Sequence, residues 1–239
     1  MKTFFQKNAV FLGLSLMLVV ALGLAILYIP QGELHLLLCN RHTPARDIFY
    51  KYYTQVAEWF PYVVCVSLLI FSRIGDGVFA TSAMTLSALS TQIIKHICNS
   101  LRPVTWFDLF MPDVQLPLVE GVKMNYWYSF PSGHTTSFFA LAFVVCIIWA
   151  SKTSRTSRTS ITSRTRSSRG SGILSIIGQA ALFFLAMLGG YSRIYLSQHF
   201  ARDVFGGIII GIGITLLCYM IFYHFENKKW YNYRLIAKK

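Results

Sequence analysis

Apolar residues in this chain do not alternate with polar ones; they gather into six long runs. The first covers residues 9–29 without a charge, and the others cover 56–71, 78–97, 136–150, 173–191 and 204–223. The third is the most polar and ends near Lys95. Apolar runs approaching about 20 residues suit the hydrocarbon core of a bilayer, where an α-helix satisfies every backbone amide within itself. The pattern predicts an all-α polytopic membrane protein: a six-transmembrane-helix bundle forming a single domain over residues 1–239. Between the fourth and fifth runs, residues 151–172 repeat Thr-Ser-Arg at Thr153, Thr156 and Thr162 and have no apolar face. They read as a disordered linker. A basic tail, residues 224–239, follows the last run.

Composition agrees with a membrane solvent. Mean hydropathy is +0.51 and 54% of the residues are hydrophobic, which excludes an ordinary soluble domain. The formal net charge of +13 would suit nucleic acid only as a basic patch on a folded polar face, whereas the cations lie between and beyond the apolar runs, which argues against that partner. Their distribution sets an orientation. The N-terminus, Arg73, the linker and the tail together hold 14 of the 22 lysines and arginines. The opposite side holds the other eight and seven of the nine acids. The positive-inside rule then puts both termini in the cytoplasm. The first run follows Lys2 and Lys7 as a signal peptide would, but it is longer than a signal core and reads as an uncleaved anchor.

Other features have ordinary accounts. Gly207 and Gly211 form a small-xxx-small pair that predicts close helix packing. Trp106, Tyr126, Trp127, Tyr128 and Phe130 crowd the largest outer loop as interfacial anchors or as the lining of a lipid entry path. Cys65, Cys146 and Cys218 lie inside apolar runs as small hydrophobes, whereas Cys39 and Cys98 flank polar loops, where pairing is open but spacing alone does not establish it.

Three polar strings interrupt this background, all at run ends on the outer side. The first carries Lys95 and Arg102, seven residues apart, with Pro103 closing any helix. The second is Pro131-Ser132-Gly133-His134, immediately before the fourth run. A helix N-terminus there favours an anion, Ser132 is placed to cap it, and Gly133 permits close backbone approach. The third is Ser192-Arg193 followed by His199 and Asp203. At i and i+4 on one helix face, the carboxylate would fix the tautomer of the imidazole and free its other nitrogen to attack. Each string alone also fits a role without chemistry: snorkelling cations, a turn entering a helix, a His–Asp pair capping a helix. Their coincidence on one side favours a site that grips phosphate.

The pattern Lys-x6-Arg-Pro, Pro-Ser-Gly-His, Ser-Arg-x5-His-x3-Asp resembles the type 2 phosphatidic acid phosphatase (PAP2) superfamily, which also includes bacterial acid phosphatases and vanadium haloperoxidases. The match is complete at every motif position between Lys95 and Asp203. The resemblance implies that His199 is the nucleophile, Asp203 orients it and His134 is the general acid. Lys95, Arg102, Ser132, Gly133 and Arg193 would hold the phosphate oxygens. It further implies a phosphohistidine intermediate, no metal or other cofactor, and a phosphorylated membrane lipid as substrate. The resemblance to compact bacterial members implies an inner membrane, in which the cation count turns the site to the periplasm. Overall similarity points to removal of the 4′-phosphate of lipid A, with undecaprenyl diphosphate and phosphatidylglycerophosphate as alternatives. A non-enzymatic headgroup transporter would have no use for the second histidine and the His–Asp pair. The haloperoxidases are soluble, which six spans oppose.

Overall fold

The structure is a computed structural model that describes residues 2–159 and 167–236, which form eleven helices and no strand. Helices α1 (Lys2–Lys7) and α2 (Ala9–Tyr28) open the chain, and α3 (Gln31–Cys39) and α4 (Pro44–Tyr53) follow. Then come α5 (Val56–Phe71), α6 (Ile74–Cys98) and α7 (Pro103–Phe110). After a loop come α8 (Gly133–Thr159), α9 (Ser167–Tyr195), α10 (Ala201–Tyr223) and the short α11 (Lys229–Asn232). Six stretches among the described residues are long and apolar enough to cross a membrane: Ala9–Tyr28, Pro44–Phe71, Ile74–Phe110, Gly133–Lys152, Gly172–Tyr195 and Ala201–Tyr223. Each matches one predicted run, the first ending one residue short of it, and the all-α six-span bundle is the fold the chain adopts.

Helix α8 is the centre of the bundle, packed against α6, α9 and α10. Its Phe139, Ala140, Phe143 and Val144 are fully buried. Phe11 of α2 stacks on Phe143 at 5.4 Å and meets Phe183 of α9 edge-on, so the first helix is part of this core. Leu16, Leu27, Ile93, Ile177 and Leu217 remain exposed around the outside, where lipid tails are the natural partner. The small-residue pair behaves as predicted. A Cβ at Gly207 would come within 2.8 Å of Ser132 O, and one at Gly211 within 2.7 Å of Thr136 O, so α10 lies backbone to backbone on the start of α8.

One end of the bundle is stitched by the chain's last turns. Arg73 pairs with Asp76 at 2.6 Å, lies over the Tyr231 ring and donates to Asn232 Oδ1 at 3.3 Å. Gly75 is required there, because a Cβ would run into that ring. All three motif strings sit at the other end, since successive spans reverse direction and the strings follow α6, precede α8, follow α9 and precede α10.

One expectation changes and one open question closes. The linker 151–172 is not wholly unstructured: α8 continues to Thr159 and α9 begins at Ser167, while residues 160–166 lie outside the described residues. Ser, Thr and Arg are tolerated in a helix that neighbouring spans have already nucleated, and nucleation is the costly step. Cys39 and Cys98 do not pair; Cys39 is buried, Cys98 exposed, and both are free.

Candidate active site

The first string is shaped by a helix stop. Helix α6 ends where Asn99 turns left-handed at φ 36°, and Pro103 restarts the chain as α7. Lys95 occupies the last turn of α6 and Arg102 the cap of α7, and both are buried. The aromatic loop supplies their acceptors with its main chain. Lys95 Nζ donates to Tyr128 O at 2.7 Å and Arg102 Nε to Trp127 O at 2.9 Å. Tyr128 adopts φ 57°, a strained region for a bulky residue, which turns its carbonyl to the lysine. The Tyr126, Trp127 and Tyr128 side chains stay exposed.

In the second string, Ser132 stands just before α8 and its Oγ accepts from Thr135 N at 3.4 Å, the N-cap role expected of it. Gly133, the first helical residue, faces open space: a Cβ would meet only Thr91 Cγ2, at 3.7 Å. The helix N-terminus is thus uncovered toward the site. His134 lies one residue into the helix, within electrostatic reach of Lys95, Arg102, Arg193 and His199.

The third string departs from its predicted geometry. Helix α9 stops at Tyr195, Ser197 turns left-handed at φ 51°, and the amides of Gln198 and His199 both donate to Arg193 O. Helix α10 begins only at Ala201, so His199 is not on a shared helix face with Asp203 but on the loop in front of it. Asp203 faces back across the helix start. Its Oδ2 accepts from Phe200 N at 2.9 Å and from Ser129 Oγ at 2.5 Å, and lies 3.5 Å from His199 Nδ1. An i, i+4 count is satisfied just as well by a residue before the N-cap, which periodicity does not distinguish.

The strings are joined by main chain as well as side chain. Ser129 N donates to Ser100 O, and Ser132 N to Asp203 O, each at 2.9 Å. Gln198 was not anticipated: its Oε1 accepts from Arg102 Nη1 at 3.2 Å and Arg193 Nη2 at 3.4 Å, holding two like charges around one acceptor. Ser129, three residues ahead of Ser132, was also missed, although adjacency to a motif was a signal for both. Thr54 and Glu58 carried no such signal. Arg193 Nη1 donates to Thr54 Oγ1 at 2.7 Å, and Glu58 Oε1 stands 3.3 Å from His134 Nε2.

Three buried cations thus converge with one buried carboxylate, and Arg193 Nε has no partner although it is buried. An excess of buried positive charge with a free donor is tolerable only where an anion completes it. Burial, and then Arg102, Arg193 and Lys95, hold the His199 imidazole well below its ordinary titration range, so its ring is neutral at pH 7. A neutral imidazole with one nitrogen turned to a carboxylate leaves the other nitrogen free for nucleophilic or proton-transfer chemistry.

The family model described as the PAP2 superfamily matches residues 76–226, a stretch that contains all three strings. The chain belongs to the PAP2 superfamily. Over 212 residues it is 26% identical to lipid A 4′-phosphatase of Porphyromonas gingivalis, covering 84% of this chain and 75% of that relative. It is 27% identical over 154 residues to dolichyldiphosphatase 1 of Dictyostelium discoideum, 64% of this chain but only 56% of that protein's length. Among solved structures it superposes on LpxE of Aquifex aeolicus with a TM-score of 0.57 and 26% identity, over 79% of this chain and 93% of the other. The PAP2-type phosphatidylglycerolphosphate phosphatase of Bacillus subtilis matches with a TM-score of 0.58 at 17% identity, over 94% and 100%, a likeness of fold. Thr54 and Glu58 of this PAP2 protein precede the family-matched segment.

Proposed function

We propose that this protein is a membrane lipid phosphatase that removes a phosphate from an envelope lipid through a phosphohistidine, with the 4′-phosphate of lipid A as its preferred target. The observation that carries the reading is the buried, anion-deficient cluster of Lys95, Arg102 and Arg193 around a neutral His199 backed by Asp203. His199 attacks phosphorus through Nε2. Lys95, Arg102, Arg193, the Ser132 and Gly133 end of α8 and their N–H groups hold the oxygens as charge builds on them, and such stabilisation is the main source of rate acceleration in phosphoryl transfer. His134 protonates the leaving oxygen and then activates water to release phosphate. Asp203, hydrogen-bonded by Ser129, steadies the His199 imidazolium.

The named activity of the Porphyromonas relative, matched over most of both chains, favours lipid A. The dolichyldiphosphatase match favours a polyprenyl diphosphate, undecaprenyl diphosphate in a bacterium, as the alternative, with phosphatidylglycerophosphate behind it. Cation placement supports cytoplasmic termini and a periplasmic site in an inner membrane, the substrate tail in lipid and its phosphate at the helix ends. The three cations supply the charge that a metal would otherwise bring, so turnover is expected in EDTA.

The test is phosphate release by purified protein in detergent with EDTA, on lipid A, undecaprenyl diphosphate and phosphatidylglycerophosphate, with His199→Ala as control. Loss of one phosphate from lipid A, mapped to the 4′ position by mass spectrometry and absent from the control, is expected. Preferential turnover of undecaprenyl diphosphate would replace the substrate, and headgroup binding without turnover of any lipid would make the protein a transporter.

A further inference from the structure

The reaction asks His134 to carry a proton, yet it stands among Lys95, Arg102, Arg193 and His199. Keeping an imidazolium in such company costs Coulomb energy unless a carboxylate lies against the ring. Asp203 is not that carboxylate: it is turned to Ser129, Phe200 N and His199. Glu58 is. Its Oε1 is 3.3 Å from His134 Nε2, and it sits in the first turn of α5, four residues after the Thr54 hydroxyl that receives Arg193 Nη1. One short segment ahead of the family-matched residues therefore touches both the acid and a clamp.

We propose that Glu58 is a positioning residue for the leaving-group acid: its carboxylate accepts the Nε2 proton of His134, fixing the ring so that Nδ1–H faces the departing oxygen. The inference rests on the phosphatase reading. In the first half-reaction a bond forms between His199 Nε2 and phosphorus while the ester P–O bond breaks. The electron pair goes to the departing oxygen, which takes the Nδ1 proton, and Glu58 stays hydrogen-bonded to the now neutral ring. In the second, Nδ1 takes a proton from water as the water oxygen bonds phosphorus, and the P–N electron pair returns to His199.

A first-turn acid also stabilises a helix through its dipole, so the test must separate the two roles. The leaving group does so, because 4-nitrophenolate departs without protonation and an alkoxide does not. With the full chain in detergent, Glu58→Gln is expected to lower kcat/KM, which reads only the steps up to leaving-group departure, about 30-fold on an alkyl phosphate, part of the roughly 10²–10⁴-fold that acid catalysis supplies, and less than about threefold on 4-nitrophenyl phosphate. His134→Ala should show the same selectivity, and adding Glu58→Gln to it should change nothing further. Equal losses on both substrates, or losses that add in the double variant, would overturn the role of Glu58. An active wild type indistinguishable from Glu58→Gln overturns this inference alone, whereas a wild type that releases phosphate from neither ester and from none of the three lipids overturns the phosphatase reading beneath it.

Discussion

Adding one methyl group to α10 should slow the reaction without replacing any residue of the site. A Cβ at position 207 would lie 2.8 Å from Ser132 O and 2.9 Å from Thr135 Cβ. An ordinary carbon–oxygen contact is about 3.3 Å, so Gly207→Ala must push the start of α8 away from α10 by about 0.5 Å. That start carries Ser132, Gly133 and His134, and the Ser132 N–Asp203 O bond of 2.9 Å spans the same gap. A misplacement of about 1 Å costs roughly 10²-fold in rate, so half that shift predicts about a tenfold fall in kcat. Overpacking costs about 1–3 kcal/mol, against which removing a helical glycine returns about 0.5–1 kcal/mol. Gly213→Ala is the control, since nothing lies within 4 Å of its Cβ. It should gain that helix stabilisation, raise the melting temperature in detergent and leave kcat unchanged. Steady-state phosphate release from the lipid substrate, with circular dichroism to confirm folding, reads both. Equal kcat for the two variants would refute the claim that the contact sets the spacing between acid and nucleophile.

Three further outcomes follow from the hydrogen bonds and burial. Ser129→Ala removes the donor to Asp203 Oδ2, a bond worth about 1 kcal/mol, and should cut kcat about fivefold with KM unchanged; a pure KM effect would place Ser129 on the substrate instead. Gln198→Leu frees Arg102 and Arg193 from their shared acceptor and should raise KM about tenfold, a loss appropriate to hydrogen bonds with charged groups, while a fall in kcat alone would contradict a clamp-setting role. His35 is fully buried, bonded through Nε2 to Ser197 Oγ, and burial lowers it to about 4. Because the unfolded chain binds its proton more readily, His35 costs nothing above pH 6.5 and destabilises the fold as pH drops toward 4, by on the order of 3 kcal/mol in all. Thermal melts of His35→Gln should show a shallower loss across that window, and an unchanged slope would mean that His35 does not drive the acid sensitivity.

What the sequence revealed divides by the range of the interaction responsible. Spans are written in local composition, so all six were legible, and so were the motif residues, which lie near the span ends and meet because successive spans reverse. Helices α3 and α4 fill what read only as an outer loop, although Thr43 before Pro44 is a cap signal, with Thr43 Oγ1 accepting from Arg46 N. The position of His199 ahead of α10 was hidden because an i, i+4 spacing does not reveal where a helix begins. Glu58 meets His134 across 76 positions of sequence, and no local pattern encodes that contact.

The main-chain bonds that link Ser129 to Ser100 and Ser132 to Asp203 have a practical consequence. They make a scaffold whose shape does not depend on the side chains that would do the chemistry. A His199→Ala variant should keep the cluster of cations, and so serve as a trap that retains the unreacted lipid through purification. The bound molecule, extracted and weighed, would then name the substrate directly from the membrane in which the protein was made.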